Sequence, residues 1–430
     1  MVKPLGSSEF KPGQTFGKYT LIDRIAIGGM AEIFLARQAG VEGFEKTIAV
    51  KKIRPHLTHD ENFVRMFLNE AKLAAQLSHP NIVQIYDLGK INDSYFIAME
   101  YVSGRDMSRV IPKCKSLGIP FPMEYALKIT SAALEALYYA HNKTDAQGHP
   151  LHIVHRDATP ENILVAFSGS VKIADFGIAK ATAQLGDGRT ENTRAGEIKG
   201  KLSYMSPEQC MGKDVDHRSD IFSLSVVLYE WLTGFKLFSG DNDLAVMNNI
   251  IEGKIYPPSY FKDGIPEVVE TILMKALEKD RKKRYQSAWD MQFDIDTFLA
   301  SNEFTPSSIH LSNFMKQLFK DELDKEQEFL ARLHSPANRT PSSPSAKVPH
   351  TAQQTTDVIE LDTSNVILED LPADAFPEST PLPLQRAGPV DVTVHLDKGS
   401  YRRLTDLAER KQQTPAELAE HLLKAILKTI

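Results

Sequence analysis

Short apolar runs broken by glycine open the patterned part of the chain. "YTLIDRIAIGG" from Tyr19, "AEIFLARQ" from Ala31 and "KTIAVKKI" from Lys46 are rich in Ile, Val and Phe and predict β-strands. "DENFVRMFLNEAKLAAQL" has another period. Its apolar residues Phe63, Phe67, Leu68, Ala71, Ala74 and Ala75 recur at helical spacing, so one helix interrupts the strands before two more follow, up to about Glu100. From Met123 to about Leu299 the pattern is helical, as in "ALKITSAALEALYYAH", "DIFSLSVVLYEWLTG" and "EVVETILMKALEKD". An amphipathic segment, "LSNFMKQLFKDELDKEQEFLARL", carries the helical part to about Leu333.

The pattern then stops. Nine of the 24 prolines fall between Pro336 and Pro389, among Ser, Thr, Gln and Asp, a composition that buries too little apolar area to offset ordering entropy. It predicts a flexible, disordered linker over 335–389. Pattern returns in "VDVTVHLDKGSYRRLTDLAERKQQTPAELAEHLLKAILKTI". Val392, Val394 and Leu396 alternate with Asp391, Thr393 and His395, as in a strand with one buried face. Tyr401, Leu404, Leu407 and Ala408 then share one helix face. Thr414, Pro415 and Glu417 read as a capping box opening a second helix that buries Leu418, Leu422, Ala425 and Ile426.

Composition narrows the class. With 42% hydrophobic and 25% charged residues the chain reads as a globular protein, and a net charge of −6 gives no global attraction to nucleic acid or anionic lipid. The two cysteines, Cys114 and Cys210, form neither a metal motif nor a disulfide framework. No signal-peptide core stands at "MVKPLGSSEF", and no apolar run approaches the roughly 18 residues of a membrane helix. The expectation is a cytoplasmic protein without membrane contact.

The chemistry lies in an ordered set of short motifs: "IAIGGMAEI", "IAVKKI", Glu70, "HRDATPEN", "DFG" from Asp175 and "SPE" from Ser206. Each alone is weak; their order and separation are specific. Over about residues 19–300 the set resembles the Hanks-type protein kinases, and the longer segment "NKTDAQGHPLHIV" with "KGKLSYMSPEQ" resembles the bacterial serine/threonine members. The resemblance implies an α+β, bilobal protein kinase fold, with a small β-rich N-lobe and a large helical C-lobe. The expected organisation is an N-terminal tail at 1–18, a kinase domain at 19–300, a helical extension at 301–334, the linker, and a C-terminal unit at 390–430.

It also implies an activity: transfer of the γ-phosphoryl group of ATP to protein hydroxyls, with Mg2+ or alternatively Mn2+. Lys51 would grip the α and β phosphates and pair with Glu70. Asp157 would orient the acceptor hydroxyl and take its proton, and Asn162 and Asp175 would hold the metal. Ile25, Ile33, Ala49 and Leu164 would enclose the adenine, with Met99, Glu100 and Val102 in the hinge that reads its edge. Glu208 and Arg284 match a buried structural pair, and Asp220 matches the brace of the catalytic loop. Tyrosine specificity is disfavoured, because the loop lacks the Ala-Ala-Arg or Arg-Ala-Ala pattern of that branch.

Three departures stand out. The phosphate loop should read G-x-G-x-x-G, but Ala26 and Ala31 replace its outer glycines, leaving Gly28 at the tip beside Gly29. The catalytic loop usually carries a lysine where this chain has Thr159, and the later "GKLSYMSPEQ" carries Lys201 where a threonine is usual. The two residues are exchanged, which predicts that Lys201 points into the site. Third, Glu197 stands at the position usually phosphorylated, where it would pair with Arg156; Thr182, Thr190 and Thr193 are further candidates for phosphorylation. The alternative to an enzyme is a kinase-shaped scaffold, which the lost glycines and Thr159 would suit.

The C-terminal unit resembles the ribbon-helix-helix family, too small to bury its core alone and with a strand that needs a partner. A homodimer satisfies both needs. It would bring two kinase domains together for phosphorylation in trans, on the activation segment or on linker residues such as Thr355, Thr356 and Thr363. DNA binding, the other use of this fold, is less favoured: the outward residues Asp391, Thr393 and His395 include no Arg or Lys, and the segment's net charge is only +1.

Overall fold

A computed structural model describes residues 10–176, 201–301 and 304–334. The linker, the C-terminal unit, Glu197 and the candidate phosphothreonines lie outside the described residues. By internal contacts the chain divides into two units, Met1–Leu323 and Asp324–Ile430.

The first unit begins with a six-stranded antiparallel sheet. Its strands are β1 (Gln14–Phe16), β2 (Tyr19–Ile27), β3 (Ala31–Ala39), β4 (Glu45–Ile53), β5 (Ile85–Ile91) and β6 (Ser94–Glu100), in the order β1-β2-β3-β4-β6-β5. Alternation gives the sheet two apolar faces. Tyr19, Leu21, Phe34, Ile48, Val50, Phe96 and Ala98 pack on one. Ile53 and Ile97 pack on the other, against Val64, Phe67 and Ala71 of helix α1 (Glu61–Ala74), as the helical period of that segment predicts. Asp60 caps the helix, accepting from the Phe63 amide at 3.0 Å.

The tail predicted for residues 1–18 is too long. β1 pairs with Tyr19–Leu21, and Phe16 is buried edge-on against Phe96 at 5.4 Å. Three residues between Gly13 and Gly17, both at positive φ, are too short to show a strand period.

The rest of the unit is mainly helical: α2 (Met107–Ser116), α3 (Met123–His141), α4 (Pro207–Cys210), α5 (Arg218–Thr233), α6 (Asp243–Ile251), α7 (Glu267–Ala276), α8 (Ala288–Ser301), α9 (Ser308–Leu318) and the first residues of α10 (Lys320–His334). A three-stranded sheet of β7 (Gly104–Asp106), β8 (Ile163–Ala166) and β9 (Val171–Ile173) lies at its junction with the first lobe. α5 is apolar on nearly every side and is buried along almost its whole length. The bilobal protein kinase architecture is thus the one expected.

The boundary drawn at residue 300 separates what packing joins. Leu311, Met315 and Leu318 of α9 are buried in the core of the helical lobe, and the Ser312 hydroxyl donates to the Phe167 carbonyl at 2.7 Å. Gly169, at φ 85°, lies so close to α9 that an added Cβ would sit 1.8 Å from the Ser308 carbonyl oxygen. Gly148 has the same backbone sign, φ 86°, with open space around it. Gly148→Ala should therefore cost roughly 1 kcal/mol in backbone strain and Gly169→Ala roughly 2–4 kcal/mol, since only the second displaces α9. Urea unfolding of the two variants measures the difference.

Candidate active site

The catalytic loop, His155–Asn162, is built on one carboxylate. Asp220, fully buried on α5, accepts from the backbone amides of His155 at 2.8 Å and Arg156 at 2.7 Å, and from His141 Nε2 at 2.8 Å. Burial alone would raise its pKa; the His141 contact and the other donors outweigh burial and hold the carboxyl below its usual range. The two amides fix Arg156 at φ 64°, a left-handed conformation unusual for an arginine. Asp157 then turns into the cleft. Its amide donates to His155 Nδ1 at 3.2 Å, so that ring donates from Nε2 to the Ala174 carbonyl at 3.1 Å. Burial pushes the His155 pKa down, in keeping with a neutral ring.

Asn162 donates from Nδ2 to the Asp157 carbonyl at 2.8 Å and to its Oδ2 at 3.1 Å. Its own carbonyl accepts from the Ala174 amide at 2.9 Å, which ties the loop to the residue before Asp175. Phe176 is buried beneath, 4.5 Å from the His155 ring. Asp175, at φ 53°, points the other way and meets Lys51 of β4, Oδ1 to Nζ, at 2.8 Å. Burial pulls the Lys51 pKa down, but Asp175, Glu70 and Asp157 together outweigh it and raise the pKa above its ordinary value. The ammonium stays charged.

Lys51, Glu70, Met99 and Asp175 line one cavity. Its apolar wall of Ala71, Ala74, Val83, Ile85, Ile97, Ile173, Ala174 and Phe176 was not read from the sequence, because it is assembled from α1, three strands and the segment before β5. Ile25, Gly28, Gly29, Ile33, Ala49, Glu100, Val102 and Leu164 are not in that lining. Register nevertheless places Ile33 opposite Lys51 and Ala49 opposite Met99, so these share one face of the sheet. Ile25 falls at a bulge in β2, and the Gly28 amide closes the β2–β3 turn on the Ala31 carbonyl at 2.9 Å. Glu100 makes an ion pair with Lys172 of β9 at 2.9 Å, joining the two lobes beside the hinge.

The exchanged residues behave differently. Lys201 turns inward as expected, with Nζ 3.4 Å from Asp157 Oδ2. Thr159 is 2% exposed, and its hydroxyl has no hydrogen-bond partner among the described residues. Thr159 is the N-cap of the 3₁₀ turn Pro160–Asn162, but its side chain makes no capping hydrogen bond. Below the site, Glu208 of α4 takes a bidentate contact from Arg284 at 2.7 and 2.8 Å, and Ser219 also donates to it.

The donor set suits a hard cation. Asp175 and Asn162 offer oxygens, and among the described residues no three His, Cys, Asp or Glu side chains gather into a metal site. Hard oxygen donors of this kind suit a divalent cation whose remaining ligands are substrate phosphates and water.

The sequence matches the model described as the protein kinase domain over residues 19–293. The chain belongs to the protein kinase family. It is 42% identical over 320 residues to the tyrosine-protein kinase MasK of Myxococcus xanthus, covering 74% of this chain and 49% of that protein. The serine/threonine-protein kinases PknB of Mycobacterium leprae and PrkC of Bacillus subtilis are each 36% identical, over 288 and 281 residues. Those matches cover 66% and 65% of this kinase and 43% and 40% of the relatives. The chain thus spans half or less of the length of the curated relatives it matches. Among solved structures, a double mutant of the Mycobacterium tuberculosis PknI kinase domain aligns at a TM-score of 0.50 with 24% identity, over 67% of this chain and 98% of that one, a likeness of fold. Among the described residues no helix is long and apolar enough to cross a membrane.

The Glu208–Arg284 pair makes a stability prediction. Burial opposes the Glu208 charge, but Arg284 holds the carboxyl below its usual range. A folded-state pKa below the unfolded one stabilises above the unfolded value, and that stability is lost as pH falls through the folded value. Glu208→Gln, which leaves Arg284 buried and uncompensated, should cost about 3–5 kcal/mol at neutral pH. Urea midpoints should show the parent's advantage shrinking on acidification below the ordinary carboxylate range.

Proposed function

We propose that this chain is an ATP-dependent serine/threonine protein kinase. The observation that carries the reading is the placement of Lys51, Asp175, Asn162 and Asp157 around one cleft, with Lys51 held charged. In this reading Lys51 grips the α and β phosphates, and Asn162 and Asp175 hold the metal. Asp157, steadied by Asn162, accepts the proton of the acceptor hydroxyl. When bound, Mg2+ neutralises charge on the phosphates. The buried Asp220, Glu208 and Arg284 keep the loop and the substrate-side segment in place without touching substrate. PknB and PrkC support hydroxyls of serine and threonine as acceptors, whereas the name of MasK favours tyrosine.

Protein substrates follow from this reading. Residues 390–430 are proposed as a homodimerisation unit that presents one kinase domain to another, with DNA binding as the alternative. Purified protein with Mg-ATP and a generic acceptor should incorporate phosphate, and phosphoamino-acid analysis should find phosphothreonine and phosphoserine. Asp157→Asn should lower the rate at least 10³-fold with ATP binding retained. Phosphotyrosine alone would assign the chain to the MasK-type activity, and ATP binding without transfer in the parent would make it a scaffold.

A further inference from the structure

Phosphoryl transfer needs positive charge where the phosphate leaves ADP and meets the acceptor. Thr159 supplies none. Two observations bear on where the charge comes from. The Lys201 ammonium lies 3.4 Å from Asp157 Oδ2, on the oxygen that also receives Asn162. The Thr159 side chain is buried with its hydroxyl unbonded among the described residues, a state that costs free energy and brings no charge to the loop.

The alternative, a lysine on a mobile surface turned to water, does not fit its anchoring. Leu202, Ser203 and Tyr204 directly after it are buried. The Lys201 carbonyl accepts from the Tyr204 amide, and the Tyr204 hydroxyl donates to Glu230 of α5 at 2.9 Å. Further along, Ser206 and Gln209 form a capping box, and Gln209 Nε2 donates to the Arg156 carbonyl at 3.2 Å. The base of the Lys201 side chain is therefore tied to the catalytic loop and to α5. The Lys201 side chain as a whole is 41% exposed, so the paired ammonium is not sealed from the cleft.

We infer that Lys201 is a catalytic residue that supplies the cation for phosphoryl transfer from the segment preceding α4, in place of the residue at Thr159. The inference rests on the kinase reading above. In the step, a bond forms between the acceptor hydroxyl oxygen and the γ-phosphorus while the bond from that phosphorus to the β–γ bridging oxygen breaks. The hydroxyl proton passes to Asp157, and ADP departs with the electron pair of the broken bond. Lys201 contacts the transferring phosphoryl oxygens. The charge thereby depends on the segment being docked, so that anchoring of residues 201–210 and charge delivery are one event.

Lys201→Met keeps the length and packing of the side chain and removes only the charge. It should lower kcat by about 10²–10³-fold with the KM for ATP changed less than about threefold. The double variant Thr159→Lys with Lys201→Thr returns the cation to the loop and should recover the parent rate to within about tenfold. A separate readout is binding of Mg-ADP with aluminium fluoride, a mimic of the transferring phosphoryl group: Lys201→Met should bind it at least tenfold more weakly while binding Mg-ADP alone as the parent does. Parent-like kcat for Lys201→Met would overturn the inference. So would a slow Lys201→Met that binds the mimic normally and is not rescued by the double variant, because the lysine would then be structural. A parent that transfers no phosphate would sink the kinase reading itself; equal binding of the mimic by parent and Lys201→Met would in that case overturn this inference as well.

Discussion

Asp220 is the constraint from which the site is built. A carboxylate taken wholly out of water is costly unless every donor it needs is supplied, and here two consecutive backbone amides and the His141 ring supply them. The same bonds hold Arg156 in a left-handed conformation that would otherwise be disfavoured by roughly 1–2 kcal/mol. That turn aims Asp157 into the cleft and leaves His155 on the inner side, where it packs on Phe176 and accepts from the Asp157 amide. Because Asp220 sits on α5, the most deeply buried helix, the position of the chemistry is inherited from the hydrophobic core and not from the loop that displays it.

The lobes are joined through β9. The Val83 amide donates to the Ile173 carbonyl and the Ile173 amide to the Asn81 carbonyl, while Asn81 Nδ2 reaches the Val171 carbonyl. Lys172 adds an ion pair to Glu100 and a bond to the Pro80 carbonyl at 2.9 Å. Asp175 follows two residues later. Its reach to Lys51 is thus set by a strand fastened to the segment before β5, so that the sheet's lysine and the helical lobe's carboxylate meet through backbone bonds and one ion pair, not through side-chain attraction alone.

What could be read from the sequence was whatever recurs locally or in fixed order. Helix α1 announced itself by period, the strands by composition, and Lys51, Asp157, Asn162 and Asp175 by the types that phosphoryl transfer requires at those separations. Contacts between distant segments were not legible. β1 is too short to carry a period, and its reason to form is Phe16 meeting Phe96, 80 residues on. The place of α9 in the core depends on Ser312 and Phe167 coming together. Apart from Phe176, which belongs to the DFG motif, the apolar wall of the cavity behind Lys51 consists of ordinary Ile, Val and Ala residues that have no signature of their own. Even the exchange of Thr159 and Lys201, which the sequence did suggest, was legible only for the charge: a lysine's reach follows from its length, whereas the Thr159 hydroxyl depends on a local turn that no motif encodes.

The distribution of charge in the cleft follows from these attachments. Lys51 comes from the sheet and is matched by Asp175, two residues past the strand that joins the lobes; Lys201 comes from the segment before α4 and is matched by Asp157 from the loop braced on α5. Each cation is paired across two elements, so neither pair forms unless both elements are seated. In the proposed reaction an incoming polyphosphate would compete with a carboxylate for each ammonium, and the carboxylates would take other partners: a metal for Asp175, the acceptor hydroxyl for Asp157. In that reading the resting ion pairs mark the positions that substrate and metal would take.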